Sequence, residues 1–247
     1  SLGAGIITTI TIPQRMQVVL QWLEVIRLTR KLKKAKVDLL ICRNALACSL
    51  ALKAKKMLDK SFELKVCYDG RGALKAEAQE YDVYPHFLKP LLFEAEKNAV
   101  LNSDMRIAVS DELVTWWESE YGYDAENHIV IPTTISTLHQ HFDPAQHRAV
   151  WRERFSFKAD DVVMAFAGGK ADWQGMDFWL PQMHEWLDKK SNLKLLLLTP
   201  RSNSIEVLCD AFPSRVVNTY VQHNEVLKCL SSADYGILWR QPNTTNI

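Results

Sequence analysis

No charge of one sign dominates this sequence: 30 Lys+Arg stand against 29 Asp+Glu, a formal net charge of +1. A dedicated nucleic-acid binder carries a basic surplus, so nucleic acid is not an expected partner, although a local basic pocket is compatible with the balance. No run of about 18 apolar residues is present, so no membrane-spanning helix is expected. The mildly apolar opening Gly3–Pro13 is too short, and lacks the basic flank, for a signal peptide. Cysteine is scarce and odd in number: Cys42, Cys48, Cys67, Cys209 and Cys229, with no C-x-x-C pair. That argues against a disulfide framework or a zinc knuckle and fits buried thiols in a reducing cytosol. The histidines show no H-E-x-x-H spacing; His139 and His141, the closest pair, read as loop residues, and no metal site is expected. A P-loop, a nucleophile elbow, a catalytic-triad pattern and a Cys-His signature are all missing. Gly3-Ala4-Gly5 lacks the third glycine and the preceding strand of a dinucleotide fingerprint. Asn243-Thr244-Thr245 matches a glycosylation acceptor by pattern alone.

What is present is an ordinary globular composition over 247 residues, 47% hydrophobic and 24% charged. That length permits one large domain or two of roughly 100–130 residues each. Pro13 suits the first position of a helix in which Met16, Val19, Leu20, Leu23 and Ile26 keep helical spacing. The helix ends in Arg27, Arg30, Lys31, Lys33, Lys34 and Lys36. Such an end either compensates the helix dipole as a solvated face or touches anionic lipid headgroups, a peripheral membrane contact.

An alternation follows. Strands are predicted at Val37–Cys42, Leu64–Tyr68, Arg106–Val109, Ile129–Ile131, Val162–Ala167, Leu193–Leu198, Arg215–Val217 and Tyr235–Trp239. Helices are predicted between them, with Lys75–Ser103 broken near Pro85 and Pro90. Continuous apolar runs such as Leu195-Leu196-Leu197-Leu198 suit strands buried on both sides. The expectation is an α/β fold of two Rossmann-like blocks, parallel sheets with helices on both faces. The polar, Pro-flanked stretch Pro132–Phe142 divides them, giving 1–133 and 134–247, with a ligand cleft expected between their strand ends.

In open α/β sheets, function collects just beyond the carboxyl ends of strands. That selects Arg43-Asn44, Asp69-Gly70-Arg71-Gly72, Gly168-Gly169-Lys170 running to Gly175, Thr199-Pro200-Arg201 and Arg240-Gln241-Pro242-Asn243. Paired glycines let backbone N–H groups approach an anion, and a helix N-terminus with Lys170 adds positive charge, which suits a diphosphate; a plain turn is the alternative. Arg71 offers a bidentate clamp and Asp69 an acceptor for sugar hydroxyls; a surface turn with a local ion pair is the alternative. Trp116, Trp117 and Trp151 read as packing residues, whereas Trp173 lies where an aromatic can flank a ligand.

Taken in order, these segments resemble the group 1 (family four-type) glycosyltransferases of the GT-B fold. The matching stretches are Val66–Gly72 with Glu77; Glu94–Lys97 before Ala108–Leu113; Ile129–Pro132 with Phe142–Pro144; Ala165–Lys170 with Trp173–Gly175; and His223–Val226 before Ser232–Leu238. Arg240–Asn246 looks like the segment preceding the family's nucleotide-sugar motif. The resemblance covers about residues 37–247. It implies a donor-binding C-terminal domain and an acceptor-binding N-terminal domain. The implied reaction moves a sugar from a nucleoside diphosphate-sugar to a glycan or lipid-linked acceptor, with retention, without metal and without a cofactor. By resemblance, Gly168, Gly169 and Lys170 line the diphosphate. Thr199, Pro200, Tyr220, Val221 and Gln222 lie where base and ribose sit, and Arg240 and Asn246 approach the donor. Asp69 and Arg71 are the implied catalytic pair, with Arg43 and Glu77 on the acceptor side. A bacterial surface-polysaccharide pathway, in the cytoplasm at the inner membrane face, is the implied setting.

Three departures stand out. The linker reads Pro132-Thr133-Thr134 instead of a Pro-Asn-Gly type turn, and the E-x7-E type motif expected after Asn246 is not in the chain. The first strand and its glycine-rich loop have no counterpart before Pro13. The expectation is therefore the central part of a longer enzyme, both domains incomplete and this stretch alone nearly inactive. A non-catalytic sugar-nucleotide or partner-binding module and a GT-B epimerase are the alternatives.

Overall fold

A computed structural model describes residues 14–59, 61–81, 83–124, 126–134, 142–169 and 171–245; of residues 14–20 it describes the backbone. The chain forms two compact units. The first runs to Thr134 and takes back residues 243–245; the second runs from Ile135 to Pro242. The sequence division assigned 243–245 to the second block. They pack in the first because the Glu80 carboxylate accepts hydrogen bonds from the Thr244 N–H (2.8 Å), the Thr245 N–H (3.0 Å) and the Thr245 hydroxyl.

Unit 1 holds four parallel strands, β1 (Leu39–Cys42), β2 (Lys65–Gly70), β3 (Met105–Ala108) and β4 (His128–Val130), paired in chain order. Between and before them lie α1 (Gln14–Ala35), α2 (Ala45–Lys56), α3 (Leu74–Glu80), α4 (Lys89–Asn102) and α5 (Asp111–Tyr121). The helix starts follow from local chemistry. Asn44 Oδ1 accepts the Ala47 N–H at 2.8 Å to cap α2, and Ser110 Oγ accepts the Leu113 N–H to cap α5. Gly122, at φ 67°, ends α5 in the left-handed conformation. The predicted long helix over 75–103 is two helices separated by a 3₁₀ turn at His86–Leu88, with Pro90 in the first turn of α4, where its missing N–H costs nothing.

The unit 1 core joins Cys42, Val66, Tyr68 and Ala108 of the sheet to Val25, Leu28 and Leu32 of α1, Ala51 and Leu52 of α2, Ala99 and Val100 of α4, and Trp117 of α5. Alternation along each strand sends the intervening side chains to the other face. There Leu39 (48% exposed), Ile41 (57%), Met105 (46%) and Ile129 (50%) stay open. Among the described residues, helices therefore cover one face of this sheet.

Unit 2 holds β5 (Val162–Ala167), β6 (Leu193–Leu198), β7 (Val216–Asn218) and β8 (Tyr235–Gly236), all parallel, in the order β7-β6-β5-β8. Its helices are α6 (Ala145–Arg154), α7 (Met176–Lys189), α8 (Asn203–Ala211) and α9 (Val226–Leu230). Here both faces are covered. Leu195 and Leu197 pack with Trp179, Met183, Ile205 and Leu208, while Leu196 packs oppositely with Trp151, Phe157 and Cys229. Each such leucine contributes about 2 kcal/mol of burial. The last strand is shorter than the predicted Tyr235–Trp239: Tyr235 and Leu238 are exposed at the sheet edge, and ladder pairing covers Tyr235 and Gly236. Buried Arg152 fixes the approach to β8. It donates to the carbonyls of Ser232 (3.0 Å), Lys158 (2.7 Å) and Asp161 (3.0 Å) and to Asp234 Oδ2 (2.7 Å).

Candidate functional site

Chain order in unit 2 runs outward through β5, β6 and β7, then returns to the far side of β5 as β8. Such a reversal leaves the carboxyl ends of the strands as the natural ligand crevice. A pocket of about 810 Å³ lies at those ends, within the range of small-molecule sites. It brings together Gly168 after β5, Thr199 and Arg201 after β6, and Asn218, Tyr220 and Val221 at the end of β7. Six residues selected from sequence, Gly168, Thr199, Pro200, Arg201, Tyr220 and Val221, thus share one wall system.

Each is positioned by identifiable contacts. A Cβ on Gly168 would lie 2.9 Å from the Phe166 ring, so glycine is what allows the chain to turn there. Asn218, which sequence reasoning did not single out, donates from Nδ2 to the carbonyls of Leu197 (3.1 Å) and Thr199 (2.9 Å) and so ties the ends of β6 and β7 together. Thr199 is buried, 8% exposed, and its Oγ1 has no hydrogen-bond partner. An unpaired buried hydroxyl is costly unless a ligand satisfies it. Tyr220 is 88% exposed at the rim. Gly169 has open space where a Cβ would sit and is not part of the pocket lining. Lys170 and Asn246 lie outside the described residues.

Arg240 does not line this pocket. Its Nη1 donates to the Trp173 carbonyl (3.2 Å) and to Gln174 Oε1 (2.9 Å), which pins the turn at Asp172–Gln174. Gly175 ends that turn at φ 62°, and a Cβ there would meet Trp239 at 2.6 Å. A separate hollow of about 780 Å³ between α7 and α8, bordered by Pro181, His184 and Val207, runs along helix flanks and gathers none of the sequence-selected residues.

In unit 1, Asp69 lies inside β2 rather than in a turn, paired in register with Ile107. Its Oδ1 is buried without a hydrogen bond, and the Arg71 guanidinium approaches it at 3.6 Å. Glu77, half-buried in α3, comes near the same loop: its Oε1 is 3.7 Å from where a Gly72 Cβ would be. Burial pushes the Glu77 carboxyl above its ordinary value. Arg43 is exposed on the turn after β1 and does not join this group. The structure thus brings Asp69, Arg71 and Glu77 around one loop and leaves Arg43 apart.

Glu96 of α4 anchors that loop from beneath. It is fully buried and accepts the Leu74 and Lys75 N–H groups at 2.8 Å each and the Tyr121 hydroxyl at 2.7 Å. It acts as the N-terminal cap that α3 lacks from its own side chains. Burial raises its carboxyl, against the pull of these hydrogen bonds. The sequence signal was a glutamate on the apolar face between Leu92, Ala95 and Ala99. Among the described residues no group of three or more His, Cys, Asp or Glu is arranged to hold a metal ion.

No family model matches this sequence, and no curated protein matches it. Solved structures do. Sucrose-phosphate synthase from Thermosynechococcus elongatus superposes with a TM-score of 0.65 at 15% identity, over 92% of this chain and 56% of that one. Anabaena HepE in complex with UDP and glucose gives 0.65 at 13%, over 90% and 57%. WaaG, a glycosyltransferase involved in lipopolysaccharide biosynthesis, gives 0.63 at 13%, over 90% and 58%. This chain therefore spans 56–58% of the length of these three. At such identities the likeness is one of fold, and the fold is that of the GT-B glycosyltransferases.

Proposed function

We propose that the protein transfers a sugar from a nucleoside diphosphate-sugar to a glycan or lipid-linked acceptor. The observation that carries this reading is the unit 2 pocket, in which Gly168, Thr199, Tyr220 and Val221 converge around an unsatisfied buried hydroxyl. In the reaction the anomeric C–O bond to the diphosphate breaks and a new C–O bond to the acceptor hydroxyl forms. The acceptor's proton ends on the leaving diphosphate. That group gains negative charge, so N–H groups at Gly168 and Gly169 with the Lys170 ammonium stabilise the transition state. Thr199, Tyr220 and Val221 hold the nucleoside, and Asn246 and the Arg240-pinned turn complete the donor side. Asp69 and Arg71 face the reacting sugar, with Arg43 and Glu77 toward the acceptor. Retention at the anomeric carbon, independence of metal and cofactor, and a role in bacterial surface polysaccharide synthesis belong to the same reading. Binding of UDP and glucose by HepE supports a nucleotide-sugar partner.

A cytoplasmic setting is supported by five free thiols. No helix among the described residues is long and apolar enough to cross a membrane. Peripheral contact remains part of the proposal: α1 exposes Trp22 (62%) and, more than two and three turns further along, Arg30 and Lys34, an aromatic and cations suited to an anionic interface. Co-sedimentation with phosphatidylglycerol vesicles that survives Trp22→Ala combined with Arg30→Glu would remove that contact from the account.

The test is calorimetric titration of the intact protein with UDP-, GDP- and ADP-glucose, followed by detection of released nucleoside diphosphate with a membrane-lipid extract as acceptor. One donor binds, and Lys170→Ala weakens it about tenfold, or 1.4 kcal/mol. Binding without release supports a non-catalytic module; no binding by any donor overturns both readings.

A further inference from the structure

A second pocket, of about 490 Å³, opens in unit 1 where the loop after β2 meets the first turns of α5. Arg71, Asp111, Glu112, Trp116 and Ser119 border it. The adjacent tryptophans have divided their work. Trp117 is fully buried against Tyr68 and Tyr123 and is the packing residue expected from sequence. Trp116 also packs against this core but is only partly buried and lines the pocket; like Trp117, it carries an Nε1 with no hydrogen-bond partner. A buried indole N–H normally finds an acceptor. A further buried atom without a hydrogen bond, Asp69 Oδ1, lies beside Arg71 and outside the pocket lining.

We infer that this pocket is a carbohydrate subsite that takes an uncharged sugar ring, with Trp116 as its aromatic wall. Sugars offer what such a lining suits: hydroxyls that both donate and accept toward Ser119 and the rim carboxylates, and an apolar C–H surface for the indole. The pocket has room for one or two sugar rings and is walled on a further side by Thr244 and Thr245, held there by Glu80. Charge chooses among sugars. Arg71 already faces Asp69, while Asp111 and Glu112 stand exposed at the rim. Glu112 is kept ionised by its own backbone N–H and by Ser110. Two carboxylates against one engaged guanidinium repel a uronate or a phosphorylated sugar and accept hydrogen bonds from neutral hydroxyls. The inference deepens the proposed function, since under that reading the bound ring belongs to the acceptor.

Saturation-transfer NMR and tryptophan fluorescence on the intact protein test it, with methyl glycosides of glucose, galactose, mannose, N-acetylglucosamine and glucuronic acid as probes. At least one neutral glycoside binds more tightly than the glucuronide. Trp116→Ala weakens it tenfold or more, Trp116→Phe by under threefold, and UDP affinity is unchanged in both. Thr115→Trp, which fills the pocket from an exposed rim position without touching the core, abolishes glycoside binding if Trp116→Ala proves unstable. Binding that survives Thr115→Trp, a preference for the glucuronide, or no glycoside binding at all overturns the inference. Glycoside binding without any nucleotide binding would instead overturn the transfer reading and leave this pocket standing.

Discussion

Thr199→Val separates a residue kept for a ligand from one kept for stability. In the free protein Thr199 is 8% exposed and its Oγ1 has no partner, although its backbone carbonyl is held by Asn218 at 2.9 Å. An unpaired buried hydroxyl costs about 1–3 kcal/mol relative to an apolar group of the same shape. Valine keeps the shape and removes the hydroxyl, so the free protein gains about 1 kcal/mol, a rise of about 4 °C in unit 2 melting. The same change deletes one ligand hydrogen bond, worth about 0.5–1.5 kcal/mol, and weakens nucleotide binding roughly three- to tenfold. Thr199→Ser keeps the hydroxyl and the affinity. Thermal unfolding and calorimetry with whichever of UDP, GDP and ADP binds the wild type read both effects. A variant that melts lower, or binds the nucleotide as tightly as wild type, refutes the reasoning, because the hydroxyl would then already have a partner or face no ligand.

Three further outcomes follow from packing and charge. Gly70→Ala puts a Cβ 2.5 Å from Cζ2 of fully buried Trp117, an overpacking that lowers stability by about 1–3 kcal/mol in urea unfolding; a loss under about 0.5 kcal/mol would contradict it. Arg152→Met leaves the carbonyls of Ser232, Lys158 and Asp161 without their donor and Asp234 with Arg148 as its partner, costing about 3 kcal/mol, while Arg152→Lys recovers only part because an ammonium cannot reach all four; hydrogen exchange in α6 and β8 would show it. Burial raises the carboxyls of Glu77 and Glu96 above their ordinary 4.5, so their stabilising protons are fully bound below 4.5 and lost as pH rises through the folded values. Unit 1 therefore loses stability as pH climbs from 4.5, and Glu77→Gln flattens that decline; an unchanged slope would contradict it.

Much of the fold was legible because local signals and tertiary structure agree. Runs such as Leu195–Leu198 became doubly buried strands. The failures have physical causes. Leu238 and Trp239 read as strand because they are apolar, yet they lie beyond the ladder at an exposed edge. Asp69-Gly70 read as a turn, but Gly70 pairs with Ala108 and its missing Cβ makes room for Trp117. Leu39 and Ile41 suggested double burial, whereas the described helices all pack on the other face of that sheet.

The site was harder to read, because its supports are non-local. Glu96 reaches amides and a hydroxyl 21 to 25 residues away, and Glu80 holds Thr245 across 165 residues. Neither separation leaves a periodic trace. Trp116 and Trp117 are indistinguishable in sequence; a rotation of one residue on α5 makes one a core ring and the other a pocket wall. Gly168, Thr199, Tyr220 and Val221 were found because strand ends concentrate function in parallel sheets, a rule that needs only the strands to be located.

Hydrogen–deuterium exchange of the intact protein with and without UDP, GDP and ADP tests the central claim most directly. The account predicts that at least one nucleotide protects backbone amides at 167–170, 199–201 and 218–223 together. Protection confined to unit 1, or none with any of the three, would contradict it.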